Sequence, residues 1–72
     1  MMLDVDKFRI QNIKMSGKRV KCLLMNDDYN PVPSGTLGTI DHVDDIGTIH
    51  VKWDNGSTLG LVPEEDDYML VN

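Results

Sequence analysis

Apolar and polar residues alternate with unusual regularity in the stretch GTIHVKWDNGSTLGLVP, residues 47 to 63. Ile49, Val51 and Trp53 share one parity, the pattern breaks at Asn55-Gly56, and alternation resumes through Leu59 and Leu61. A period of two is the mark of a half-buried strand, and Asn-Gly between two such runs marks a hairpin. The same criterion predicts strands in RVKCLLM, TLGTIDHV, TIHVKW, STLGLV and YMLV. Between the first two lies NDDYNPVPSG, which is crowded with Asn, Asp, Pro and Gly and reads as a long loop. The first 16 residues fit neither period cleanly. A short helix from Asp4 to about Met15, stopped by Ser16-Gly17, is the preferred reading, with an extended segment as the alternative.

The apolar pattern also sets the hairpin registers. A two-residue turn at Asn55-Gly56 would pair Trp53 with Thr58 and Val51 with Gly60. A three-residue loop, Asp54 to Gly56, instead pairs Trp53 with Ser57, Val51 with Leu59 and Ile49 with Leu61. A slip of one residue flips every side chain, so the better apolar match decides for the longer loop, with Gly56 in the left-handed region. The same loop at Asp45-Ile46-Gly47 pairs Val43 with Ile49 and His42 with His50. Ile40 then has the wrong parity for the core, and a bulge between Ile40 and Val43 is expected to turn both inward.

The 72 residues suffice for one small domain, and the 40% hydrophobic share is that of a globular chain. No apolar run is long enough to cross a membrane, and no secretory leader is expected from the acid-bearing start. The single Cys22 cannot form an internal disulfide, which fits a reducing cytoplasm. Its parity with Val20 and Leu24 makes it a small buried hydrophobe. The net charge of −5 is divided unevenly. In residues 1–21, Lys7, Arg9, Lys14, Lys18, Arg19 and Lys21 outweigh Asp4 and Asp6, leaving +4, whereas Lys52 stands against ten acids in residues 22–72, leaving −9. The two parts should attract. Residues 1–18 are therefore expected to pack on a β-domain of residues 19–72, burying Phe8 and Ile13 and bringing Lys7, Arg9 and Lys14 near the acids.

Taken together, Arg19-Val20, Met25, Asp27, Pro31, Pro33, Gly35 to Ile40, Asp44 to Gly47, Trp53 to Ser57 and Asp67 to Val71 resemble a small bacterial and phage family described only as a domain of unknown function. The resemblance covers about Arg19 to Val71. Ile40 replaces the usual Val, and PEEDD replaces a more Gly-containing segment. It implies a mostly β fold: an SH3-like, five-stranded small barrel, often encoded on phages and mobile elements. A looser similarity links the pattern to Mib–Herc and related SH3-like modules, which bind partners rather than catalyse. No catalytic residue carries over.

Candidate site residues follow from the same reading. Tyr29, Pro31 and Pro33 sit on the long loop, which in SH3-like barrels borders the peptide groove; the plainer reading is a Pro-stiffened linker. His42 and His50 would face each other across two strands. With Asp44 they could approach a divalent metal, but a structural zinc wants four ligands, so no metal is expected. Trp53 has core parity. Turn chemistry accounts for Asp54 and Asn55, and Glu64 to Asp67 reads as a solvated turn. No nucleophile–base pair, P-loop or cofactor motif is present, so an enzyme is not expected. The reading is a non-enzymatic, cytoplasmic interaction module with a protein partner, no cofactor, and a monomeric or homodimeric state. The alternatives are an acidic inhibitor that occupies a nucleic-acid-binding site on a host protein, and a nucleic-acid binder using the basic N-terminal segment.

Overall fold

In a computed structural model that describes residues 4–26 and 29–71, one helix packs on a four-stranded antiparallel sheet. The elements are α1 (Asp4–Met15), β1 (Arg19–Leu24), β2 (Leu37–Val43), β3 (Ile49–Trp53) and β4 (Asp67–Val71), and the strand order is β3-β2-β1-β4. Among the described residues no helix is long and apolar enough to cross a membrane. The capping role expected of Asp4 concerns a side chain outside those described.

Alternation does what the sequence promised. Val20 and Cys22 of β1, Ile40 and Val43 of β2, and Ile49, Val51 and Trp53 of β3 are buried on one face of the sheet. Leu61, Met25 and Val32 complete this core from the connections. In β2 and β3, Val43 pairs with Ile49 and His42 with His50, while Ile40 pairs with Val51. The register shift falls between Ile40 and His42, so the bulge turns both Ile40 and Val43 inward. Gly47 and Gly56 have φ of 90° and 91°, and close the two three-residue loops.

The expected five-stranded barrel is replaced by an open four-stranded sheet. The segment STLGLV contributes a single isolated bridge, Ile49 to Leu61, in the expected register. Trp53 also reaches Ser57 as expected, its N–H donating to the Ser57 carbonyl at 3.0 Å. Between these two points the ladder fails for a local reason. The Leu59 carbonyl accepts the Trp53 indole N–H at 2.8 Å, and the Leu59 N–H donates to Ser57 Oγ at 3.2 Å. Both backbone groups are thereby taken from Val51, their expected strand partner.

Helix α1 packs against β2, through Phe8 and Met15 on the core. Its central anchor is polar: Asn12 Oδ1 accepts the Val43 N–H at 2.8 Å and the Ser16 hydroxyl at 3.0 Å. A polar residue in the inward row explains why the helix lacked a clean apolar period. Ile13 is 80% exposed, which corrects the expectation that it would be buried. Of the basic residues expected near the acids, Lys7 lines one cavity with Glu64, whereas Arg9 pairs within the helix with Asp6 at 3.9 Å, and no ion pair links α1 to the sheet among the described residues. The chain then reverses at Gly17, φ 83°, whose N–H donates to the Ile40 carbonyl at 2.7 Å as the polypeptide enters β1.

Candidate functional site

The loop from Met25 to Thr36 leaves β1 and returns to it. Gly35 N–H donates to the Cys22 carbonyl at 2.7 Å, and Cys22 N–H to the Thr36 carbonyl at 2.8 Å. Its middle is pinned by Val32, which is 3% exposed and whose N–H meets Met25 Sδ at 3.3 Å. Burying Val32 turns its neighbours Pro31 and Pro33 outward. Across from them stands the Asp54–Gly56 turn, and the two walls enclose a cleft of about 430 Å³ lined by Pro31, Pro33, Asn30, Asn55, Gly56 and Ser57, with Val32 at its base. Tyr29, a sequence candidate for a contact, is 97% exposed and adjoins this lining in the chain without being part of it.

The turn that forms the second wall is held firmly. Asn55 Oδ1 accepts the Ser57 N–H at 3.0 Å, the turn chemistry expected of it. Asp54 does something different. Its carboxylate accepts from both terminal nitrogens of Arg19, Nη1 at 2.9 Å and Nη2 at 2.6 Å, while Nη1 also donates to Thr39 Oγ1 at 3.0 Å. This two-pronged bond holds the Asp54 carboxyl below the usual carboxylate range and raises the Arg19 pKa. Nothing in the local sequence pairs residues 35 apart, so Asp54 read as turn chemistry alone.

His42 and His50 lie elsewhere, on the outer face of β2 and β3 beside Asp41, Lys52 and Thr58. Their rings stack with centroids 4.3 Å apart and planes within 8°. His42 Nδ1 bonds Asp41 at 2.7 Å and His50 Nε2 bonds Asp44 at 2.8 Å. Those bonds, with Lys52 beside Asp41 and the backbone N–H groups of Thr48 and Ile46 on Asp44, hold both carboxyls below their ordinary pKa. Parallel rings carry their remaining lone pairs in parallel planes, so one imidazole would have to turn before both could grip a single ion. No group of three metal-ligating side chains occurs among the described residues. The sequence-predicted residues thus fall in two places: the proline loop and the histidine stack.

One further role was hidden in the sequence, that of Asp66, and one expected burial, that of Cys22, is met. Asp66 is 6% exposed, not solvated, and accepts the N–H groups of Asn26 and Val62, both at 2.8 Å. It ties the start of the proline loop to the turn before β4, which corrects the reading of Asp66 as solvated, while Glu64, Glu65 and Asp67 are exposed as expected. The sulfur of Cys22 is fully buried 3.5 Å from the Val32 carbonyl, and burial pushes the thiol pKa up, away from the nucleophilic thiolate.

The profile of one family, described as Domain of unknown function (DUF4314), matches residues 6–71. The chain belongs to this family. No curated protein and no solved structure matches it. The DUF4314 match takes in both walls of the cleft, the histidine stack and all but the first residues of α1.

Proposed function

We propose that this DUF4314 chain is a non-enzymatic, SH3-like interaction module that takes an extended segment of a protein partner into the cleft between Pro31–Pro33 and Asn55–Ser57. The observation that carries the reading is that cleft: one wall is pinned by buried Val32 and the other by the Arg19–Asp54 bond. Pre-formed walls reduce the ordering cost of binding. Proline rings supply flat apolar contact, Asn55 and Ser57 supply polar groups, and Tyr29 extends the surface with an aromatic ring and a hydroxyl. A phage or mobile-element setting for the module is supported by the resemblance described above. Docking of α1 on β2 weighs against the basic segment acting as a free arm for nucleic acid.

Peptides selected from a displayed random library test the reading. Backbone amide shifts on adding a selected peptide should cluster at Tyr29, Asn30, Val32 and residues 55–57. Tyr29→Ala and Pro31→Glu should each weaken binding while leaving the spectrum of the free protein folded. Shifts clustering at His42 and His50, or binding indifferent to both substitutions, would refute the site.

A further inference from the structure

We propose that two copies of this chain join through β4, antiparallel about Met69, to form one continuous sheet. The two edges of the sheet are finished differently. The β3 edge is capped at Leu61, which exchanges backbone hydrogen bonds of 2.9 and 2.8 Å with Ile49, and again at Ser57. The β4 edge is bare: among the described residues no backbone group of Asp67–Val71 bonds outside its ladder with β1. Natural edge strands are usually blunted by lysine, proline or a covering segment. Tyr68-Met69-Leu70-Val71 carries neither residue, and Met69 and Leu70 are 45% and 47% exposed.

The register of β1 tells which β4 groups point outward. Cys22 gives its N–H and carbonyl to the β2 side, at Thr36 and Gly35. Val20, two residues earlier, points the same way. Their partners across the other ladder are Tyr68 and Leu70, so those two residues direct their backbone groups away from β1. This outward pattern is self-complementary. A two-fold axis normal to the sheet at Met69 sets Tyr68 of one copy opposite Leu70 of the other, donor to acceptor in both directions, and does so twice. Their side chains lie on the Val20–Cys22 side, so the apolar face continues across the seam. Asp67 falls opposite Val71, so no acid opposes an acid. That match, in hydrogen bonds, apolar face and charge at once, is what selects a second copy as the occupant. The seam is short and each copy carries −5, so the dimer should be weak and tightened by salt.

Met69 faces itself in a non-hydrogen-bonded pair, where the two α-carbons approach closely. Met69→Glu should therefore raise the dimer dissociation constant by about tenfold or more in sedimentation equilibrium, through two like charges set opposite each other. Met69→Cys should give a disulfide-linked dimer under mild oxidation, since the spacing suits the bond. Ile13→Cys, more exposed but on the helix, should not. A wild-type chain that stays monomeric up to millimolar concentration would overturn the proposal and leave the edge to a strand of another protein. So would a dimer untouched by Met69→Glu, or Ile13→Cys cross-linking as readily as Met69→Cys.

Discussion

The loops Asp45–Gly47 and Asp54–Gly56 share one backbone plan and are held by different neighbours. Each ends on a glycine near φ 90° and returns one hydrogen bond to the residue before the loop, Gly47 to Asp44 and Gly56 to Trp53. In the first loop Asp44 turns onto the loop itself, accepting the Ile46 and Thr48 N–H groups at 3.1 and 2.9 Å, and Phe8 of α1 lies on Gly47. In the second, Asn55 does the local bonding and Asp54 reaches across the sheet to Arg19. The first loop is a packing joint between helix and sheet. The second is an open turn that borders the cleft. A shared backbone pattern therefore specifies a loop's shape and leaves its role to be set by contacts far away in sequence.

Replacing each glycine by alanine separates the two loops most sharply. At Gly47 a Cβ would meet the Phe8 ring at 2.7 Å, in addition to the strain of a left-handed side chain. Strain of about 1–2 kcal/mol and overpacking of about 1–3 kcal/mol together should lower the melting temperature by roughly ten degrees or more in a domain this small. Phe8→Ala tests the origin of that loss. In its background Gly47→Ala should cost only the strain component, and an unchanged cost would show that the ring is not the obstacle. At Gly56 a Cβ would meet nothing within 4 Å. Gly56→Ala should cost about 1 kcal/mol from backbone strain alone. Equal thermal shifts for the two substitutions would erase the distinction between joint and turn.

The same contrast explains how much could be read from the sequence. The registers of β2 and β3 were legible because a one-residue error would have exposed Ile49, Val51 and Trp53 together. The glycines followed from the registers. STLGLV was misread as a full strand because alternation cannot reveal that the Trp53 indole takes the Leu59 carbonyl. Asp66 was misread because an acid in a run of acids looks solvated, and its partners Asn26 and Val62 lie 40 and 4 residues away. Ile13 was misplaced because charge attraction stood in for a helical face that actually runs through Phe8, Asn12 and Met15. Pro31 and Pro33 could be chosen from the sequence, but not the turn opposite them, since the cleft exists only once the sheet brings Asn55–Ser57 alongside.

The two acids provide a smaller and finer test of the comparison, through pH. Both Asp44 and Asp54 have pKa values lowered by folding, Asp44 chiefly by its bond to His50 and Asp54 chiefly by Arg19. A carboxyl with a depressed folded pKa stabilises the native state above its unfolded value of about 3.9, and that stability is lost as pH falls through the folded value. Melting temperature should therefore drop as pH is taken below about 4. Asp44→Asn should remove part of that acid slope and also depress stability at neutral pH, because a neutral amide bonds the Ile46 and Thr48 N–H groups and the His50 ring less strongly than the charged carboxylate does. Asp54→Asn should flatten the slope too, but its neutral-pH cost should shrink in high salt, since this ion pair lies in solvent, 37% and 54% exposed at its two ends. Asp44, held by backbone groups of its own loop, should keep its cost in salt. If salt screened both substitutions alike, Asp44 would be another surface charge and the packing joint would rest on Phe8 and Gly47 alone.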